Sequence, residues 1–539
     1  MKRTTVFRIA EWSSSLGYDD IPADVVELCR CQVMSVLAAC FGADRLPSAG
    51  AYRRLVSELC CGRARSFPFM DEADPPSACG ITAGLSVALD FDDYLFLGHT
   101  GHSAVSVPLV LGAYLGADQR EALVAQVIAN EVGGRLGSSV VLGPHNGQLW
   151  TFIHAANAAL AASRLLGLDA ERTAHALDLA LAAPPYPSFS SIMSADSKLA
   201  VVAEPTAAGV RAAYLAREGL TGPLDILDDE RGFYAGFSFV PSRFFLDGFG
   251  KSWVMQSIAI KPYPGCAYVD AMVDSLLDIL GRFEAERGRK VRSDDVREIH
   301  VEASILTAQM EAIGEKYAPA DGLPSSFNIN FRIPHTAALA LIAGRLTSAE
   351  FAPDFLGHHA DEIAGLASRV RLSHDWEMTL NVVRAIVSGL EPFSPVAYLS
   401  LSDIRRAFRG MRTHMSPRLP LALPDILQAL FAVKPGNIVK LVSAARKGGS
   451  MADVDFGRMR FPFAARVTLK TTDGKSYESG RELPDGSPGG RSRREVAGEK
   501  LLQEAAVHIG KERAEALLSA VEGGGSPAEI ADLLKPEPA

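Results

Sequence analysis

The 539-residue sequence has no excess of positive charge, no long uncharged apolar run, no cysteine-rich pattern and no internal repeat or low-complexity tract. Its 54 lysines and arginines stand against 63 aspartates and glutamates, a formal net charge of −9. There is thus no overall basic field for wrapping nucleic acid or lying on anionic lipid. No uncharged apolar run approaches the roughly 18 residues of a bilayer span. Met1 to Phe7 carries two positive charges with no apolar stretch behind them, so the expectation is a cytoplasmic protein with neither membrane nor nucleic acid as partner. The seven cysteines, Cys29, Cys31, Cys40, Cys60, Cys61, Cys79 and Cys266, are odd in number and show no C-x-x-C or Cys/His ligand spacing. Neither a disulfide framework, a zinc site nor an iron–sulfur cluster is expected from them.

What is present is an ordinary globular composition, 48% hydrophobic and 8% aromatic, with 47 glycines and 31 prolines. A chain this long exceeds the roughly 250 to 300 residues that one core supports, so two domains are expected. Up to about residue 250 the period is helical. Val25, Val26, Cys29, Val33, Leu37 and Cys40 recur at three- and four-residue steps behind Pro22. Further helices are expected over Ala104 to Leu115 closed by Gly116, over Arg120 to Arg135 with Glu131 and Arg135 as an i,i+4 pair, and over Leu149 to Leu166. Alanines at 155, 156, 158, 159, 161 and 162 make the last of these thin on several sides and central in a bundle.

Beyond Ser257 the period changes to two, at Ile258/Ile260, Ile299/Val301/Ala303/Ile305, Val370/Leu372 and Val467/Leu469, the last before the hairpin signal Asp473-Gly474. Helical stretches such as Ala271 to Arg287 and Thr336 to Ile342 lie between, which indicates an α+β unit. After the Pro/Gly-rich stretch Leu483 to Gly490 the helical period returns over Arg494 to Val521. The expected architecture is mainly α: a large all-helical domain of residues 1–256 and 491–539, and a smaller α+β domain of residues 257–490. The second domain carries a helical, arginine-rich stretch at about 393–460 that contains Arg405, Arg406, Arg409, Arg412 and Arg418.

Chemistry is concentrated at a few points. Asp90-Phe91-Asp92-Asp93-Tyr94 followed by Gly98-His99-Thr100-Gly101-His102 places three carboxylates and two imidazoles between two helices. Groups at helix ends can occupy different environments, and this separates an acid from a base. Gly143-Pro144-His145-Asn146-Gly147-Gln148 is a tight loop before the alanine-rich helix, which contains His154. Asp196-Ser197-Lys198 precedes a helix expected over Thr206 to Arg217. Its lysine suits a carboxylate clamp or, if desolvated, proton exchange. Lys261-Pro262-Tyr263-Pro264 stands at the change of period, where prolines would present Lys261 from a rigid element at an interdomain cleft. Phe331-Arg332-Ile333-Pro334-His335 offers a guanidinium and an imidazole before a helix.

These segments, in this order, resemble the MmgE/PrpD family. The carriers of the resemblance are Ala88-Leu-Asp-Phe-Asp-Asp93 with Gly101-His102 downstream, Leu165-Leu-Gly-Leu-Asp169, Asp196-Ser-Lys198, Gly219-Leu-Thr-Gly-Pro223, Lys261-Pro-Tyr-Pro264 and Phe331-Arg-Ile-Pro334. The resemblance implies a helical domain with a smaller α+β lid, a homodimer, an active site in the cleft and no metal or organic cofactor. It implies a lyase acting on a small di- or tricarboxylic acid, dehydration leading, with decarboxylation and epimerisation as other reactions of the family. As catalytic positions it implies Asp90, His102, Lys198 and Lys261; Tyr94 and His335 are further catalytic candidates for the opposite face, and Asp93, His99, Gln148 and Arg332 are candidates for binding substrate. His102 would exchange the proton, Asp90 would orient it, and Lys198 and Lys261 would neutralise substrate carboxylates. Tyr94, Gln148, Asp270 and His335 stand where the family commonly has threonine, histidine, histidine and tyrosine.

Two other readings compete. An aspartate-rich motif on a helical scaffold also suits a magnesium-dependent lyase acting on a diphosphate, although that chemistry needs a second acidic motif on a facing helix. A non-catalytic helical protein holding an anionic partner on its arginine-rich insertion is the other.

Overall fold

The computed structural model describes residues 4–144, 151–186, 188–414 and 448–535, with backbone alone over 411–414. The protein is mainly α. Behind Pro22 the apolar steps form the helix Ala23–Ala43. By length and composition this helix is apolar enough to cross a membrane. Instead it is a core helix, its faces taken by the helices Pro75–Val87, Gly101–Leu115 and Arg493–Ile509. The C-terminal part of the chain therefore returns to pack on the N-terminal part. The expected 494–521 helix is two helices, Arg493–Ile509 and Lys511–Gly523, separated at Gly510. All seven cysteines are free thiols.

The alanine-rich helix Thr151–Leu165 is central, touching the helices Gly101–Leu115, Gln119–Ser139, Ala170–Leu181 and Ser197–Arg217. Small side chains let these axes approach: a Cβ on Gly209 would stand 2.2 Å from the Ala155 carbonyl oxygen. The helix after Asp196 begins at Ser197, nine residues before the Thr206 start expected from sequence. Pro205 resembles a first-turn proline, but packing against two neighbouring helices carries the helix through it, and Lys198 is thereby held on the first turn. Glu131 and Arg135 do form an i,i+4 pair, at 3.5 Å, but in the interior rather than on the surface. Glu131 accepts from the Val254 and Met255 amides, and Arg135 donates to the Asp247 and Ser252 carbonyls. Together they bind the 247–255 connection to the 119–139 helix.

Ile258 and Ile260 do not open the larger sheet. Ala259–Ile260 is a two-residue strand paired antiparallel with Asp93–Tyr94, in register Asp93 to Ile260. The larger sheet has four strands in the order Val370–His374, Val296–Ala303, Ala465–Thr471, Ser476–Arg481. The first pair is parallel and the others antiparallel, with a hairpin through Asp473-Gly474. Ile305, expected at the end of a strand, instead starts the helix Ile305–Lys316 behind Ser304. The helix Asp270–Arg287 covers one face of the hairpin strands and packs on the helix Ile333–Ala343. Arg405, Arg406 and Arg409 lie on the helix Leu401–His414. The Arg412 side chain and Arg418 lie outside the described residues, as do His145 and Gln148.

Candidate active site

The short strand pairing brings the acidic motif to Lys261. Asp90 and Asp92 meet the two lysines, while Asp93 turns away to Gln32. Lys261 follows the paired residues Ala259 and Ile260, and its amide donates to the Asp92 carbonyl at 3.2 Å. Its ammonium donates to the Asp90 carbonyl at 2.6 Å and to Asp92 Oδ1, and lies 3.6 Å from Asp90 Oδ2. Lys198, from the first turn of its helix, places Nζ 2.9 Å from Asp90 Oδ1 and over the Phe331 ring. Asp90 sits at φ 52°, a left-handed conformation unfavourable for a residue with a Cβ. The turn is held by its carbonyls: Lys261 binds those of Asp90 and Asp92, and Lys500 donates to that of Phe91 at 2.5 Å.

A tight turn closed by reciprocal Leu95 and Gly98 backbone bonds returns the chain past this cluster. One oxygen, Asp92 Oδ2, then meets both imidazoles: His99 Nδ1 at 2.8 Å and His102 Nε2 at 3.0 Å. The two rings are not equivalent. His102 is engaged on both sides, because its Nδ1 lies 2.7 Å from Ser86 Oγ, which also bonds the Ala83 carbonyl. The Ser86 hydroxyl has one hydrogen. Directed to Ala83, it requires His102 to donate from both nitrogens, as an imidazolium; directed to His102, it leaves a neutral ring. His99 meets Asp92 through Nδ1, which puts Nε2 on the far side of its ring. Its side chain is 17% exposed, whereas that of His102 is fully buried. Asp92 and His99 thus form a carboxylate–imidazole pair at the less enclosed end of the cluster.

The electrostatics separate the two lysines. Burial lowers Lys198 below the usual lysine range despite Asp90, while Lys261 is raised because two carboxylates outweigh its burial. Burial opposes ionisation of Asp90 and Asp92. Lys198 and Lys261 nevertheless hold Asp90 below the ordinary carboxylate value, and Lys261 with the two histidines holds Asp92 well below it. Burial lowers His102. Lys261 is thus the more firmly held cation of the two.

The remaining expected positions divide. Tyr94 belongs with the cluster: its ring centroid is 6.1 Å from that of His99, and its hydroxyl, raised far above the usual phenol range by burial, has no hydrogen-bond partner in the interior. Asp93 points the other way. It accepts from Gln32 at 2.8 Å, within a network of Gln32, Asn130 and Thr100, and packs where a Cβ on Gly101 would stand 2.0 Å from its Oδ1. Burial and Asp92 raise its pKa to about 7. Arg332 is tied to Glu311 at 2.8 Å rather than open as an anion fork. His335, lowered to about 4 by burial and by Arg332, makes no hydrogen bond or ion pair with the cluster. Asp90 does not orient His102; Asp92 does. Asp92, Ser86 and Lys500 were not among the expected site residues. Lys500, 409 positions from Phe91, leaves no local signal.

Asp92, His99 and His102 each offer one ligand atom within 4.8 Å of one another. At 2.8 and 3.0 Å they are already in hydrogen-bond contact, and Lys261 holds the other Asp92 oxygen. As arranged, they form a proton-sharing network. Asp90 and Asp92 also face lysines, where a magnesium–diphosphate site would turn its carboxylates to metal.

Residues 7–242 match the MmgE/PrpD N-terminal domain. The resemblance to the MmgE/PrpD family is thus borne out over the N-terminal domain. The MmgE/PrpD match takes in Asp90, Asp92, His99, His102 and Lys198, while Lys261 and Lys500 lie beyond it. Two curated relatives, both named cis-aconitate decarboxylase, one from Aspergillus terreus and one from its strain NIH 2624 / FGSC A1156, are each 24% identical over 402 residues. Those alignments cover 68% of this chain and 78% of each relative.

Proposed function

We propose that the protein is a lyase that moves a proton beside a carboxylate of a small di- or tricarboxylic acid. The observation that carries this is the single buried cluster in which Asp92 meets two imidazoles while Lys198 and Lys261 flank Asp90. His99 exchanges the proton, with Asp92 orienting the ring; His102 and Ser86 support Asp92 from behind. Lys261 supplies fixed positive charge for a substrate carboxylate and for the enolate-like charge that develops on it. Tyr94 donates from its hydroxyl.

Elimination of water is the leading reaction. The C–H proton passes to His99, its electron pair forms the double bond, and the hydroxyl leaves as water with a proton from Lys198. Decarboxylation is the second reading, favoured by the name of the two relatives. There the bond to a carboxyl carbon breaks, carbon dioxide leaves, and His99 returns a proton to the carbon. The 257–490 part acts as the lid over the 1–256 and 491–539 helices, in a cytoplasmic homodimer.

Incubation with a panel of di- and tricarboxylates, read by mass spectrometry in ordinary and heavy water, tests the proposal. A loss of water or of carbon dioxide identifies the lyase reaction, and deuterium exchange without mass loss in ordinary water identifies epimerisation. No turnover and no exchange with any of the acids would overturn the proposal.

A further inference from the structure

A partly open apolar cavity of about 200 Å³ is lined by Phe96, Val141, Phe245, Ile386, Leu390 and Phe461, among others. Ser242 is the one polar residue among its described walls. Its walls come from both halves of the chain: residues near 96, 141 and 245 from the helical part, and residues 386–399 and 459–461 from beyond it. Phe461 joins it to the chemistry, since its ring packs edge-on to Tyr94 at 5.5 Å and Tyr94 in turn lies against His99. The Tyr94 hydroxyl is buried without a partner. Ring contacts therefore join one wall of the cavity, through Tyr94, to His99 beside the acidic cluster.

We infer that this cavity receives an apolar arm of the substrate, so that the protein acts on a carboxylic acid bearing an alkyl or aryl substituent of about six carbons rather than on a bare polycarboxylate. The inference rests on the proposed reading of the polar cluster and extends it. A cavity of roughly 150 Å³ lined by aliphatic and aromatic side chains stays dry and accepts a benzene-sized molecule, so the space here matches a group of that size or slightly larger. A polar arm would lose its water without replacement.

The test is the affinity of a series of 2-alkylsuccinates, methyl to octyl, for the full chain by calorimetry. Affinity is expected to rise up to about fourfold per methylene and to level off near six carbons. Val141→Trp, which fills the cavity away from the acid–base groups, is expected to flatten the series while leaving 2-methylsuccinate binding within twofold. Leu399→Trp serves if the first variant does not fold. Lys198→Met is expected to weaken every member. A flat series on the native chain, with binding still sensitive to Lys198→Met, overturns the inference and leaves the polycarboxylate reading standing. A rising series indifferent to Lys198→Met keeps the cavity assignment and overturns that reading. A rise that both tryptophan variants leave unchanged places the arm elsewhere and overturns the inference. Absence of binding by every member overturns both.

Discussion

Replacing Lys261 by methionine removes the charge on which the acidic turn depends while keeping most of the side chain's volume. In the native chain its ammonium bonds the Asp90 carbonyl and Asp92 Oδ1 and stands 3.6 Å from Asp90 Oδ2, all in the interior. Asp90 retains Lys198, but Asp92 is left with His99 and with His102, whose protonation burial opposes. Removing one partner of a buried ion pair costs about 3–5 kcal/mol, because the remaining charge is left without compensation. The pH dependence is more diagnostic than the magnitude. In the native chain Asp90 and Asp92 are held below their unfolded values. Their stabilisation is therefore complete at pH 7 and at pH 5, and is lost only as pH falls through about 4 and below. In Lys261→Met the cluster lacks one positive charge, and a proton taken up by Asp92 or an adjacent imidazole replaces it. The group that takes it up has a folded pKa above its unfolded value, so the variant's deficit is largest at pH 7 and narrows towards pH 5. Urea unfolding of both proteins at pH 7, 6 and 5, followed by circular dichroism, gives the difference with unrelated titrations cancelled. A loss below about 1 kcal/mol at pH 7, or a difference constant across that range, would refute the reasoning.

His99→Ala is expected to lower turnover on an identified substrate by about 10² to 10⁴, and His102→Asn to cost less, because His102 acts through Asp92; steady-state kinetics that rank the two the other way would restore His102 as the proton carrier. Ser86→Ala leaves His102 Nδ1 without its hydroxyl partner, and should shift the acidic limb of the kcat/KM–pH profile more than it changes KM; an unshifted profile removes Ser86 from the proton network. Asp93→Asn removes a carboxyl whose folded pKa is about 7. The native chain loses stability from this group as pH rises from about 4 to 7, so thermal midpoints of the variant should gain on the native chain over that range, by up to about 4 kcal/mol in free energy; a gap that does not change with pH contradicts the burial of a neutral Asp93. Gly101→Ala forces a Cβ to within 2.0 Å of Asp93 Oδ1, and should lower the melting midpoint and displace His102, whereas Gly98→Ala, whose nearest neighbour would be 3.6 Å away, should be tolerated far better.

The helices were legible where packing and local pattern agree. Leu115 followed by Gly116 ends a helix as expected, with Gly116 in the left-handed conformation that suits glycine. The helix expected from Thr206 begins earlier, because contact with neighbouring helices carries it from Ser197 through Pro205. At the site, Asp90, Lys198 and Lys261 were recognised and come together, as does Tyr94. Asp93 and Arg332 were expected at the substrate, but one joins a glutamine–asparagine network and the other is bound by a glutamate. A one-residue step along an extended strand reverses a side chain's direction, so the choice between Asp92 and Asp93 depended on the register with Ala259–Ile260, which lies 166 residues away.

Sequence by itself determined the mainly helical architecture, the change of period near Ser257, the absence of a cysteine framework and the set of residue types available for acid–base work. These follow from local periodicity and composition, which act over a few residues. Tertiary structure alone decided that Asp92 rather than Asp90 meets the imidazoles, that His99 stays partly exposed while His102 is enclosed, that Lys500 supports the acidic turn from the far end of the chain, and that ring contacts join an apolar cavity to the acidic cluster. Those are outcomes of contacts between segments a hundred or more residues apart, and of the burial that makes each charge depend on its neighbours.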